Sequence, residues 1–151
     1  MSISEDIQQS TFISEYHKAL ENILYTHNYL INNMNKVFKK YDITRQQFNV
    51  MRIIRGNQPD PSNINLIKER MLDKMSDASR IVERLKIKGF VERRVNRFDR
   101  RSVDIVLTEK GSDLLAKMDT EFDFFEGPIK NLTDKEAQEL NQLLDKIRDG
   151  K

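Results

Sequence analysis

The densest cluster of a single functional group is the run RRVNRFDRR at residues 93–101, which holds five arginines and one aspartate. Each guanidinium is a permanent cation whose planar fork of N–H donors matches the oxygens of a phosphate or a carboxylate. Cations packed this closely repel one another unless an anion binds them. The run therefore predicts an anion-binding surface, and the competing interpretation is a basic face that is merely solvated.

The net charge of the whole chain hides this cluster. It is only +2, yet residues 74–101 hold ten Lys or Arg against four Asp or Glu, a local balance of +6. Residues 111–151 hold six basic and ten acidic side chains, a balance of −4. Anion binding is therefore expected in the middle of the chain and not in its C-terminal part.

Other site chemistries find little support in the sequence. Cysteine is absent, which excludes disulfides, thiolate metal sites and reactive thiols. No Gly-rich phosphate loop, HExxH or GxSxG motif occurs, and His17 and His27 have no second ligand at metal spacing. We expect no enzyme, no cofactor and no metal. The polar N-terminus and the lack of a long apolar run predict a cytoplasmic protein without a signal peptide or a transmembrane helix.

A long amphipathic helix precedes the basic region. Apolar residues recur at steps of three and four from Phe12 to Tyr41, which predicts one helix of about 45 Å, or two that fold back at Asn32 and Asn33. An unbroken helix of that length exceeds the width of a small domain and is expected to contact a partner. Together with the last helix it predicts a homodimer contact through Phe12, Ile13, Tyr16, Leu140, Leu144 and Ile147.

Two shorter helices follow. Thr44 and Gln47 have the spacing of a capping box, which predicts a second helix that ends at Gly56. The stretch GNQPDPSN contains two of the three prolines and is expected to be a loop. At its end, Ser62 or Asn63 can cap a short third helix.

A fourth helix is predicted to start at Asp73 or Ser76 and to end at Gly89. Its apolar positions form a stripe that should face the core: Ala78, Ile81, Val82 and Leu85. The opposite face carries polar groups that can exchange hydrogen bonds with a ligand: Asp77, Arg80, Glu83 and Arg84, with Ser76 and Ser79.

After Gly89 the apolar period changes from 3.6 to 2, which predicts an antiparallel hairpin with its tip at residues 96–102. The alternating positions are Val91, Arg93 and Val95, and then Val103, Ile105 and Leu107. A hairpin tip is exposed, so its arginines should point outward. Thr108 can then cap a fifth helix that runs through Phe125 to a break at Gly127-Pro128. Thr133 and Glu136 form a capping box for a last helix whose apolar side, with Leu140, Leu144 and Ile147, is expected to face inward.

A short helix, a second helix with a polar face and a basic hairpin, in this order, predict a winged helix-turn-helix that binds double-stranded DNA. The fourth helix would enter the major groove, and the hairpin, or wing, would reach phosphates and the minor groove. Asp99 is expected to pair with Arg101 or Arg97. The candidate DNA contacts are Ser76, Asp77, Ser79, Arg80, Arg84, Arg97, Asp99, Arg100 and Arg101. The alternative is a protein-interaction module whose basic hairpin docks an acidic partner.

Residues 64–111 resemble the MarR family of bacterial transcriptional regulators. The resemblance is carried by the helix that ends in Leu85, by Gly89-Phe90, by Glu92-Arg93, by the wing residues Asp99-Arg100-Arg101 and by Leu107-Thr108-x-x-Gly111. It implies one mainly α domain with a small β-hairpin. Its winged helix-turn-helix lobe would span about 62–107, and its dimerisation helices about 10–41 and 109–149.

The resemblance also implies a function and site roles. It implies a homodimer with interlocked terminal helices that binds a pseudo-palindromic operator and usually represses. The family's recognition helix falls on residues 76–86 and its wing pair on Asp99 and Arg101. A small aromatic effector is a further possible partner, but no residue is assigned to it. GNQPDPSN looks longer than the usual connection, and without cysteine the chain cannot sense peroxide through a thiol, as some members do.

Overall fold

A computed structural model describes residues 2–149, without the side chains of Phe122 and Phe124. The described part is mainly helical with one antiparallel hairpin, as the sequence predicts. Its elements in chain order are α1 (Ile3–Asp6), α2 (Glu15–Lys40), α3 (Arg45–Asn57), α4 (Ile64–Arg70), α5 (Ala78–Ile87), β1 (Val91–Val95), β2 (Val103–Leu107), α6 (Glu109–Asp119), α7 (Phe122–Glu126), a 3-10 turn (Ile129–Asn131) and α8 (Asp134–Arg148).

The chain divides into two compact units. The central unit is Met34–Glu121, and the terminal unit consists of the described residues up to Asn33 and from Phe122 onward. The helix pair and the hairpin, expected at about 62–107, lie inside the central unit. This unit extends beyond those bounds because α3 contacts α4, α5, α6 and β2.

The central unit has a well-filled core. The rings of Phe38 and Phe48 pack with centroids 5.3 Å apart. Apolar side chains from the helices and the hairpin are fully buried around α3, among them Met51, Ile54, Ile67, Leu85, Ile105, Leu115 and Met118. Burial of this much apolar surface fixes how the helix pair and the hairpin lie relative to each other.

Helix caps of the central unit confirm most of the local predictions. The Thr44 hydroxyl accepts from the Gln47 amide at 3.1 Å, and the Gln47 side chain accepts from the Thr44 amide at 3.0 Å. Helix α3 continues to Asn57, one residue beyond the expected end at Gly56. Asn63, one of the two candidate caps, accepts from the Leu66 amide at 2.9 Å and starts α4.

Ser62, the other candidate cap, has a different role. Its backbone forms an antiparallel bridge to Ile105, with N–O distances of 3.0 and 2.7 Å. The bridge adds one residue of a third extended segment beside β2 and ties the loop before α4 to the hairpin. The Ser62 hydroxyl is buried and has no hydrogen-bond partner within residues 2–149.

The long helix α2 is continuous, so the alternative of a fold-back at Asn32 and Asn33 was wrong. It begins at Glu15, and Phe12 and Ile13 therefore precede it instead of forming its first turn. The short helix α1 has its own capping box from Ser2 and Glu5, which the sequence analysis did not predict.

The fifth helix is shorter than expected. Helix α6 ends at Asp119, where the Thr120 hydroxyl donates to the Lys117 carbonyl at 2.6 Å. The Thr120 and Glu121 amides bond back three residues, to Lys117 and Met118, which tightens the last turn and ends the helix. The side chain of Phe122, expected on the apolar side of this helix, lies outside the described part of the chain.

Apolar residues of the terminal unit are left uncovered by this chain. The expected capping box of Thr133 and Glu136 starts α8, but the stripe predicted to face inward on this helix is not buried. Ile13 is 91% exposed, Tyr16 89% and Ile147 64%, Leu140 is also exposed, and Phe12 and Leu144 are half-buried. Among residues 2–149, no helix is long and apolar enough to cross a membrane.

Candidate nucleic-acid interface

The turn before α5 decides where this helix begins. Asp73 accepts from the Met75 amide at 3.1 Å and from the Ser76 hydroxyl at 2.8 Å. The hydrogen bond from Ser76, and then that from the Met75 amide, hold the pKa of Asp73 below its usual range. Both expected starting residues are thus engaged in a local turn. Asp77 is the cap instead and accepts from the Arg80 amide at 3.1 Å, so α5 begins at Ala78.

Helix α5 has one buried and one polar face, as predicted. Ala78, Val82 and Leu85 are buried against the core, and Ile81 is half-buried. Ser79, Arg80 and Arg84 are exposed on the other side. Ser76, expected on the first exposed turn, lies before the helix, and the Asp77 carboxylate is partly engaged as its cap.

A glycine redirects the chain from α5 into the hairpin. Gly89 has φ of +78°, and its amide donates to the Lys86 carbonyl at 2.9 Å. The Phe90 amide donates to the Leu85 carbonyl at 3.0 Å, which completes a Schellman cap. Because a side chain at this φ is strained, glycine suits the position, and β1 starts two residues later.

The hairpin is antiparallel with its tip at residues 96–102, as predicted. Val91 pairs with Leu107 at its base, and Val95 pairs with Val103 beside its tip. Arg97, Arg100 and Arg101 lie in the tip and are exposed. Among the described residues, none of these three arginines forms an ion pair. The tip therefore presents three cations that the protein itself does not neutralise.

The two arginines of β1 are neutralised within the protein. Arg93 Nη1 lies 2.9 Å from Glu83 Oε2 on α5, and Arg94 pairs with Glu92. The pair of Glu83 and Arg93 joins the wing to the polar face of α5. Glu83 was predicted only to lie on the polar face, because a contact between a helix and a later strand leaves no local signal.

Side-chain hydrogen bonds fold the tip. Asn96 Oδ1 accepts from the amides of Phe98 and Asp99 at 2.8 and 2.9 Å. Asp99 Oδ1 accepts from the Arg101 amide at 2.9 Å. Within the described chain Asp99 forms no ion pair with Arg97 or Arg101, so the expected pairing was wrong, and its carboxylate orders the backbone instead. Asn96 was missed, although an asparagine at the start of a turn is a signal for such bonds.

The base of the wing requires a second glycine. Thr108 caps α6 by accepting from the Gly111 amide at 3.1 Å, and the Thr108 amide donates to the Phe90 carbonyl. A side chain at Gly111 would collide with that same carbonyl. The close approach gives a physical reason for the Leu107-Thr108-x-x-Gly111 spacing.

The surroundings of His17 differ from the prediction. His17 Nε2 lies 3.5 Å from Glu21 Oε1, so it has an acidic neighbour one turn away that was not predicted. In the part of the chain that the structure describes, no three His, Cys, Asp or Glu side chains come together as potential ligands.

The geometry defines the class of protein. Helix α4, a turn and helix α5 form a helix-turn-helix, and the antiparallel strands β1 and β2 follow it as a wing with a cationic tip. A helix with a polar face fits the major groove, and arginines at the tip of a wing bind phosphates or the minor groove. The central unit is a winged helix-turn-helix of the DNA-binding type.

Comparisons with known proteins agree with this class. Residues 41–102 match the model of the MarR family. The chain is 28% identical over 116 residues to the HTH-type transcriptional repressor IacR of Pseudomonas putida, which covers 76% of this chain and 68% of that protein. It is 29% identical over 113 residues to the HTH-type transcriptional regulator MgrA of Staphylococcus aureus, or 75% of each chain.

A solved structure extends the similarity over most of the chain. The crystal structure of a mutant of MarR from E. coli in complex with operator DNA has a TM-score of 0.76 and 27% sequence identity. It covers 91% of this chain and 99% of that chain. The family model, the two regulators and this solved structure all support the MarR family of transcription regulators.

Proposed function

We propose that this protein is a homodimeric repressor that binds a pseudo-palindromic operator. The observation that carries the proposal is the wing tip: three exposed arginines without ion pairs lie beside a helix that exposes Ser79, Arg80 and Arg84. Unpaired cations on an ordered backbone bind phosphates at a low entropic cost. The proposal of repression rests on the similarity to IacR, which is named a repressor.

Helix α5 and the wing are proposed to contact different parts of the DNA. Ser79, Arg80 and Arg84 on α5 are proposed to contact base edges and phosphates in the major groove. The free oxygen of the Asp77 carboxylate can accept from a cytosine amino group there, and Ser76 supports the turn before the helix. In the wing, Arg97, Arg100 and Arg101 bind phosphates and the minor groove, while Asp99 shapes the backbone that carries them.

A second copy is proposed to cover the uncovered residues of the terminal unit. The exposed apolar side chains of α2 and α8, with Ile13, supply a face that a monomer would leave in water. An interface through Phe12, Ile13, Tyr16, Leu140, Leu144 and Ile147 would make a twofold dimer. Its two recognition helices would then meet half-sites about 34 Å apart, one turn of DNA.

A pocket in the central unit is the proposed effector site. It is an open cavity of about 400 Å³ lined by the buried Ile43 and the exposed Ile87, with Lys39 and Arg84 as cations and with Lys88 paired to the lining residue Asp42. A small aromatic acid suits apolar side chains with cations beside them. Because Arg84 is also a proposed DNA contact, such an acid would compete with DNA for its guanidinium. Titration with benzoate should then release operator DNA from the parent protein. It should not release operator DNA from the Lys39→Ala variant.

Selection of bound sequences from a random duplex library tests the proposed function. The expected result is a palindrome whose half-sites lie about 10 base pairs apart from centre to centre. Recovery of an unpaired half-site would contradict the dimer, and recovery of no preferred sequence would contradict specific binding.

Salt dependence separates DNA binding from the alternative of a hairpin that docks an acidic protein. Three tip arginines in each of two copies, each neutralising one phosphate, predict a log–log slope of about −5 for duplex DNA. A slope near zero would instead favour a docking surface for a protein.

A further inference from the structure

The side chain of Phe98 at the wing tip contributes no buried surface to the fold. Its side chain is 100% exposed, although a buried phenylalanine stabilises a protein by about 1.5–3 kcal/mol relative to an exposed one. The neighbouring residues of the chain are Arg97 and Asp99, and Arg100 follows. An aromatic ring in water on a tip with three unpaired arginines indicates a ligand that carries both apolar surface and anionic groups.

The backbone beneath the ring is held in place. The Phe98 amide donates to Asn96 Oδ1 at 2.8 Å, and the same oxygen accepts from the Asp99 amide. Across the tip, the Asn96 amide donates to the Ser102 carbonyl at 3.1 Å. The ring is therefore carried outward on an ordered turn, which lowers the entropic cost of inserting it into a partner.

Duplex DNA matches this arrangement of charge and apolar surface. In the minor groove, stacked bases lie between two phosphate backbones, and proteins insert apolar side chains between bases there and bend the duplex. An apolar protein pocket fits less well, because it would remove three unpaired arginines from water without phosphates to compensate them.

We infer that Phe98 inserts as a wedge into a base-pair step of the minor groove, bends the DNA at that step and selects for steps that unstack easily. Pyrimidine–purine steps such as TA and CA are the most easily deformed, so the wing would read sequence through DNA flexibility. The inference rests on the proposed function, because it requires that the wing lies on DNA.

The test uses the full chain and the duplex recovered by selection, with 2-aminopurine placed in turn at each position beneath the wing. The parent should raise the fluorescence of 2-aminopurine at one step in each half-site, because unstacking relieves its quenching. Phe98→Ala should abolish that rise and lower affinity about a hundredfold, because a stack worth about tenfold is lost in each of the two half-sites. Phe98→Leu keeps an apolar wedge and should retain part of the rise.

Arg100→Ala is the matched control in the same tip. It should lower the log–log salt slope by about 0.9 per copy while the fluorescence rise remains. Phe98→Ala should leave the salt slope unchanged, because no phosphate contact is lost. Selection repeated with Phe98→Ala should lose the preference for a pyrimidine–purine step and keep the preferences set by α5.

The outcomes distinguish the inference from the function on which it rests. If the parent binds the selected duplex without a fluorescence rise and Phe98→Ala binds equally well, the wedge is wrong and the proposed function stands. If Phe98→Ala changes sedimentation in the absence of DNA, the ring contacts a protein chain and the inference is overturned. If the parent binds no duplex at all, the proposed function itself fails.

Discussion

The apolar stripe of α5 and those of α2 and α8 share a helical spacing but have different surroundings. Leu85 on α5 is 0% exposed because α3, α4 and β1 pack around that helix. Tyr16 on α2 and Ile147 on α8 remain exposed. Helical periodicity therefore identifies a face that will be buried, but not the chain that buries it.

This contrast separates two tasks within the chain. The central unit has its own core, so it can hold α5 and the wing in position without help. The terminal unit, on the proposed account, gains its stability and its role from a second copy. Substitutions in the two units should therefore change different measurements.

The largest expected effect is the loss of core packing in the central unit. Leu85→Ala should lower the free energy of unfolding by about 2–5 kcal/mol, because the residue is fully buried and leaves a cavity. Ile87→Ala, on the same helix but 78% exposed, is the control and should change it by less than about 0.5 kcal/mol. Urea unfolding at one protein concentration measures both, and equal effects would contradict the assignment of the core.

A charge on the uncovered face of α8 should act on association. Ile147→Glu is expected to weaken the dimer by about 2–4 kcal/mol, because the interface would bury an unpaired carboxylate. Gln142→Glu adds the same charge on the opposite side of α8 and should leave the dimer intact. Sedimentation equilibrium measures the dissociation constant, and the proposed interface fails if both variants dimerise like the parent.

A wing substitution should affect DNA affinity and leave both units folded. Arg101→Ala should weaken binding by about 1–2 kcal/mol for every duplex and lower the salt slope by about 0.9 per copy. Arg80→Ala on α5 should instead change which sequences are preferred. Fluorescence anisotropy with two duplexes at several salt concentrations compares them, and an Arg101→Ala variant with parental affinity would remove the wing from the mechanism.

The smallest effect is expected for an ion pair within the central unit. Arg55 forms two hydrogen bonds of 2.7 and 3.0 Å with Asp119, and these bonds are the main cause that lowers the pKa of the Asp119 carboxyl. A carboxyl whose pKa is lowered by folding stabilises the fold at a pH above the pKa of the unfolded chain, about 3.9. This contribution is lost as the pH falls through the folded pKa. The pair therefore contributes at neutral pH and not in strong acid.

Asp119→Asn should cost less than about 1 kcal/mol at pH 7, because solvent screens the half-exposed pair. Its difference from the parent should vanish as the pH falls below the folded pKa of Asp119. Asp113→Asn, also exposed on α6, is the control. Urea unfolding from pH 7 to pH 2.5 measures both, and a difference that persists in acid would assign the effect to packing and not to charge.

Local signals predicted much of the fold. Thr44, Thr108 and Thr133 cap the expected helices because capping needs only residues three positions apart. The alternation after Gly89 predicted both strands and the tip between them, since a period of two is typical of a strand. The start of α5 was predicted too early because Asp73, Ser76 and Asp77 are all good caps, and a local turn decides among them.

Contacts between residues far apart in the chain could not be predicted from the sequence. The bridge between Ser62 and Ile105 and the pair of Glu83 with Arg93 join residues far apart in the chain, and no periodicity records them. The wing arginines could be predicted as exposed, but not which of them the protein neutralises. That division separates Arg93, which holds the wing to α5, from the tip arginines proposed to bind DNA.

The number of chains bound to each duplex tests the claim that two copies bind one operator through their winged helices. Sedimentation velocity at micromolar concentration should give a dimer in the absence of DNA and two chains on each selected duplex. A protein that is a monomer in solution and binds each selected duplex as a single chain would contradict the claim.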